Sequence, residues 1–168
     1  TKGGLTRPEG RWESNAHPDH LRTACERSLK ALGQDRIFLY QLHAPDHSIP
    51  FEDSINELAR LQKEGKIEHV GLSNVDCEQI SIAQKIMTIE TVQNRCNIFD
   101  QRDLMNGVVS YCRDQGITYI AYSPVGGYYG HQALQANDIL MKIADKYSYS
   151  SYCVALAWLF STGDHILP

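Results

Sequence analysis

Short β-branched and aromatic runs alternate along this chain with longer stretches whose apolar residues recur every three or four positions, and this alternation constrains the fold more than any other feature. Strands are expected at 37–43, 67–73, 90–93, 118–122 and 165–167, with Thr1 and Lys2 as the tail of one more. Helices are expected at 19–32, 50–64, 77–87, 103–115, 137–147 and 151–161. Leu21, Cys25, Leu29 and Leu32 share one face of the first helix, which Gly33 closes; Phe51, Ile55, Leu58 and Leu61 do the same in the second, which Gly65 ends. Strands alternating with helices build parallel βα units.

Two architectures accept such units, an open doubly wound sheet and a closed (β/α) barrel. A dinucleotide-binding open sheet carries G-x-G-x-x-G after its first strand, and no window here matches that pattern or the P-loop. Instead, strand after strand ends in polar residues: His43, Ser73 with Asn74, Gln93 with Asn94, and Tyr122 with Ser123, preceded by Lys2. A barrel brings such ends to one mouth, so the pattern favours the barrel. The 168 residues show no linker and are read as one domain, 1–168, against about 250 for a whole barrel.

Composition removes several function classes. A formal charge of −4 offers no positive field to a nucleic acid or an anionic membrane, and no apolar run approaches the ~18 residues of a membrane span. Five cysteines with no C-x-x-C pair suggest free thiols and a cytoplasmic setting. His17 and His20, or His43 and His47, lack the spacing of a metal site, so no metal is expected. There is no G-x-S-x-G elbow and no strand-end carboxylate pair, which argues against serine hydrolysis and glycoside cleavage.

The strand-end residues suggest their own chemistry. A lysine such as Lys2 stabilises a nearby phenolate, and His43 can donate a hydrogen bond to a substrate carbonyl. Ser73, Asn74 and Gln93 can grip an amide, and the Tyr122 ring can stack on a heteroaromatic ligand. Ser123, Pro124, Val125 and Gly126 form a loop whose backbone can approach phosphate oxygens. The plainer alternatives are a solvated Lys2, a structural His43, a helix cap at Ser73 and Asn74, and an ordinary Gly turn after Tyr122.

Five strings in register resemble the aldo-keto reductase family: TKGG at the start, DRIFLYQLHAPD at 35–46, EGKIEHVGLSN at 64–74, VQNRCNIFD at 92–100 and IAYSPVGG at 120–127. The texture is similar to bacterial, pyridoxal reductase-like members. The resemblance implies an α/β (β/α)8 TIM barrel present as a partial chain, with strands three to eight and without the first two strands and last helix. It implies reduction of an aldehyde or ketone by hydride transfer from NADPH, with NADH possible as donor. Carried over by motif, Lys2 and His43 are the tetrad lysine and histidine. Ser73, Asn74 and Gln93 bind the carboxamide, Tyr122 stacks on the ring, and Ser123, Pro124, Val125 and Gly126 meet the pyrophosphate. The family's tetrad Asp and Tyr lie upstream of TKGG, so these residues by themselves are expected to be inactive. Cys96 stands where related sequences carry an aromatic. The alternative is a non-catalytic NADPH-binding regulatory protein of the same fold.

Overall fold

The computed structural model describes residues 1–168, which form two compact units, Thr1–Val92 and Gln93–Pro168. The first begins with strand β1 (Lys2–Gly3), followed by a hairpin of β2 (Leu5–Thr6) and β3 (Glu13–Ser14). Helix α1 (Pro18–Leu32), strand β4 (Ile37–Leu42), helix α2 (Phe51–Lys63), strand β5 (Ile67–Ser73) and helix α3 (Cys77–Gln84) complete its βα alternation. Strands β1, β4 and β5 run parallel in that order, with Gly3 paired to Leu42 and Leu42 to Leu72. That register sets His43 and Ser73 level at or just past the strand ends, two residues beyond the level of Lys2, which pairs with Gln41.

The helices form where apolar periodicity and end signals coincide. Leu21 and Cys25 of α1, Ile55, Leu58 and Leu61 of α2, and Ile80 and Ala83 of α3 are buried, together with Tyr40, Leu42, Val70 and Leu72 of the strands. Each fully buried leucine or isoleucine contributes about 1.5–3 kcal/mol by leaving water. Gly33 ends α1 at φ 63°, a left-handed conformation that suits a residue without a Cβ. Pro50 lies just before α2 as its cap residue. Asp76 and Gln79 close a capping box on α3, so that helix is capped by Asp76 and not by Ser73 or Asn74.

In the second unit, β6 (Thr91–Arg95, starting at the end of the first unit), β7 (Thr118–Tyr122) and β8 (Ile166–Leu167) alternate with helices. Strands β7 and β8 are parallel, with Tyr119 paired to Ile166. The helix expected over 103–115 is two: α4 (Arg102–Met105) and α5 (Val108–Asp114). Gly107, at φ 92°, breaks the helical path between them, and Asn106 Oδ1 accepts the Val108 N–H at 3.1 Å to restart it. The remaining helices are α6 (Gly127–Gly130), α7 (Gln132–Gln135), α8 (Asp138–Tyr147) and α9 (Ser151–Ser161). Apolar periodicity does not show α6 or α7, each being a single turn, nor the β2 and β3 hairpin, whose strands are two residues long.

Asp103 gathers a buried polar knot in this unit. Asn94 Nδ2 donates to its Oδ2 at 2.7 Å and the Tyr119 hydroxyl at 2.9 Å. Burial, reinforced by the Asp103 charge, pushes the Tyr119 phenol far above its ordinary range. Cys96, hydrogen-bonded to Tyr119 and fully buried, is pushed up to about 11, chiefly by burial and then by Asp103.

Candidate functional site

In the first unit the strand-end residues meet through backbone and side-chain bonds. The His43 N–H donates to Gly3 O at 2.7 Å, and Asn74 Nδ2 donates to His43 O at 2.9 Å and to Ser73 Oγ at 3.2 Å. Asn74 adopts φ 58°, a left-handed conformation that asparagine tolerates better than most residues. His43, Ser73 and Asn74 thus form one bonded group, and Lys2 lies near enough for its charge to act on the His43 imidazole. Ser73 is fully buried, Lys2 and His43 are half-buried, and Asn74 is exposed.

Burial pulls the Lys2 ammonium below its ordinary range. His43 is also lowered, first by burial and then by the charge of Lys2. The imidazole therefore stays neutral around pH 7 and keeps an N–H that can donate to a carbonyl oxygen. The adjacent cation lowers the cost of negative charge developing on that oxygen. Tyr40 is no proton donor here: its hydroxyl is buried against Gly3, and burial pushes the phenol far up.

The second unit holds the other predicted residues. Gln93 lies half-buried on β6, and Tyr122, half-exposed, ends β7. The Cys96 N–H donates to Tyr122 O at 3.4 Å, so the two strand ends are adjacent. Beyond Tyr122, Ser123 takes φ 53° and Gly126 φ 92°. A Cβ on Gly126 would stand 2.7 Å from the Gly130 carbonyl carbon, so the turn closes only around glycine. Gly126 lines a cleft of about 690 Å³, together with Arg95, Asn97, Asp100, Arg102 and Gly130 among others.

Asn97 is a site residue that motif reading missed. It is 2% exposed, and its Nδ2 donates to Ser123 O at 3.1 Å. Its Oδ1 accepts the N–H groups of Phe99 and Asp100, both at 3.0 Å. One side chain thereby folds its own turn and pins the left-handed Ser123. The only trace in the sequence is an Asn three residues before an Asp, a common turn pattern. Trp12, edge-on to His43, and Arg7, over the Trp12 ring, were missed as well.

The sequence profile of the Aldo/keto reductase family matches residues 1–168. The chain belongs to this family. An uncharacterized oxidoreductase of Schizosaccharomyces pombe is 33% identical over 169 residues, covering 100% of this chain and 54% of its own length. The probable aldo-keto reductase 1 of Glycine max is 30% identical over 177 residues, covering 90% and 51%. The chain spans about half the length of these curated relatives. Among solved structures, the glycerol dehydrogenase of Gluconobacter oxydans superposes with a TM-score of 0.86 over 99% of this chain and 61% of its own, at 24% identity. An aldo/keto reductase from Klebsiella pneumoniae, solved with NADP and acetate, gives 0.73 over 86% and 52%, also at 24% identity. This chain is accordingly a part of the aldo/keto reductase (β/α)8 barrel, α/β with parallel strands. No helix is long and apolar enough to cross a membrane.

Proposed function

We propose that this aldo/keto reductase chain serves the NADPH-dependent reduction of an aldehyde or ketone to an alcohol. The observation that carries the reading is the placement of His43 beside Lys2, its backbone held by Gly3 and Asn74. His43 donates a hydrogen bond to the carbonyl oxygen and orients it. Lys2 stabilises the negative charge that grows there as the carbonyl carbon is reduced.

The donor set suits a nicotinamide cofactor. Ser73, Asn74 and Gln93 supply hydroxyl and amide groups of the kind a carboxamide needs, Tyr122 supplies a flat ring, and Ser123, Pro124, Val125 and Gly126 supply a tight turn of small residues for a pyrophosphate to approach. When bound, NADPH supplies the hydride. The Klebsiella pneumoniae relative with NADP supports the choice of cofactor.

No tyrosine hydroxyl is hydrogen-bonded to Lys2 within these residues, so we propose that the 168 residues alone bind cofactor but do not turn over a carbonyl. The test has two arms. Aldehyde-dependent oxidation of NADPH by the full reading frame, abolished by His43→Ala and Lys2→Met, is the expected result. NADPH binding with no oxidation by any aldehyde would overturn the enzymatic reading, and turnover by the 168 residues alone would overturn their inactivity.

A further inference from the structure

Beside His43 stands a side-chain stack that neither the core nor the expected cofactor contacts explain. Trp12, between β2 and β3, is 61% exposed, an unusual position for so large an apolar ring. Its ring meets the His43 imidazole edge-on, with centroids 5.8 Å apart and planes at 67°. The Arg7 guanidinium lies over the Trp12 ring, 4.3 Å from its centroid.

The hairpin that carries these groups is anchored rather than loose. The Asn15 N–H donates to Gly4 O at 3.0 Å, and the Ala16 N–H to Asp46 Oδ2 at 3.1 Å, in the segment that follows His43. Its charges are unevenly matched. Glu9 and Glu13 both face Arg11, at 3.2 and 3.9 Å, whereas Arg7 makes a single bond to the backbone oxygen of Gly10. Arg7 thus keeps its charge without a carboxylate, and Lys2 places a second cation near His43. In a chain of net charge −4, His43 thus has one cation, Lys2, acting on it, and a flat apolar ring, Trp12, beside it that carries the other cation, Arg7, on its face.

We propose that Arg7 and Trp12 form the specificity wall of the His43 site, selecting flat, conjugated aldehydes or ketones that carry an anionic group remote from the carbonyl. The inference rests on His43 facing the substrate. The conjugated body packs on Trp12, the anion pairs with the guanidinium, and the carbonyl reaches His43. A carboxylate suits a guanidinium, which offers two parallel N–H donors.

The test compares 4-carboxybenzaldehyde with 4-methylbenzaldehyde in the full reading frame. The expected result is a preference in kcat/KM of about tenfold or more for the carboxylate, worth 1.4 kcal/mol per factor of ten. Arg7→Met, which keeps the stem over Trp12, brings the ratio near one, and Arg7→Lys keeps part of it. Binding is read separately in a Trp158→Phe background, which leaves Trp12 as the one tryptophan of these 168 residues, with the signal assigned to Trp12 by its loss in Trp12→Phe. There 4-carboxybenzyl alcohol quenches Trp12 saturably, 4-methylbenzyl alcohol does not, and Arg7→Met removes the quenching. Turnover with a ratio that Arg7→Met leaves unchanged would overturn the proposal while leaving the reductase reading intact. Quenching that depends on Arg7, with no turnover of any aldehyde, would overturn the reductase reading while supporting the anion-selective wall. Absence of quenching in the unmodified site would overturn the wall.

Discussion

Replacing Asn97 with aspartate separates the two tasks of that side chain. The carboxylate still accepts the N–H groups of Phe99 and Asp100, each at 3.0 Å in the native turn, so the turn keeps its local bonds. It cannot donate to Ser123 O, which Asn97 reaches at 3.1 Å. Losing one neutral hydrogen bond costs about 0.5–1.5 kcal/mol; Ser123 O keeps its second partner, the Gly126 N–H at 2.9 Å, but a new charge set against that part-buried carbonyl raises the total to about 1–3 kcal/mol. Part of the loss falls on the left-handed Ser123, whose conformation costs about 1–2 kcal/mol in a residue with a Cβ. Ser123→Gly removes that strain, so the penalty of Asn97→Asp is expected to shrink by about 1 kcal/mol in the glycine background. Urea unfolding followed by intrinsic fluorescence measures the four corners of this cycle, and NADPH titration measures the loop's effect on the cofactor. The clamp is refuted if Asn97→Asp unfolds within about 0.5 kcal/mol of the native chain and binds NADPH with unchanged affinity.

Other expectations are open to simple measurement. His43 binds its proton less readily in the fold than its ordinary 6.5, so its contribution to stability is complete above that pH and is lost as pH falls from 6.5 toward the lowered folded value. Urea midpoints across about pH 5 to 7 should show this slope, and His43→Gln should flatten it. Arg22 and Lys66 hold Glu64 down to about 2, so the stability of that ion-pair web should fade only as pH drops from 4.5 toward 2, a loss that Glu64→Gln removes. With a thiol reagent under native conditions Cys153 should react first, Cys77 more slowly, and Cys25, Cys96 and Cys112 only on unfolding; a third fast thiol would contradict the packing. Gly71→Ala would set a methyl against Thr91 Oγ1, which accepts Gln41 Nε2 at 3.0 Å, and should cost about 1–3 kcal/mol. Thr91→Ala should relieve part of that cost in the double variant, as read by unfolding midpoint.

Elements that declare themselves locally were legible in the sequence. The α1 and α2 helices, closed near Gly33 and Gly65, needed only spacing and a stop residue, although Leu32, read as facing inward, is exposed in the last turn of α1, and the strands around 37–42, 67–73 and 118–122 needed only β-branched and aromatic runs bounded by turns. Lys2, His43, Ser73 and Asn74 could be picked out as one neighbourhood because they lie in or just past short parallel strands, whose register brings the strand ends level. The split between α4 and α5 was hidden, since Val108 and Cys112 continue the apolar period across Gly107 while the backbone does not. Arg7 and Trp12 were hidden for another reason. They lie in a polar, turn-rich stretch, and nothing local says that its base will be tied to Asp46, beside His43.

By itself, then, the sequence determined the βα alternation, the run of polar residues near the strand ends and the membership of the aldo/keto reductase family, because periodicity and motif spacing are properties of neighbouring residues. Only the tertiary structure decided that His43 is kept neutral, that Asn97 holds Ser123 and that Trp12 stands against the imidazole. Those facts depend on burial and on contacts between residues 26 and 31 positions apart, such as Asn97 with Ser123 and Asn74 with His43. Such contacts exist only once the chain has packed, since desolvation and distance, not residue type, set them.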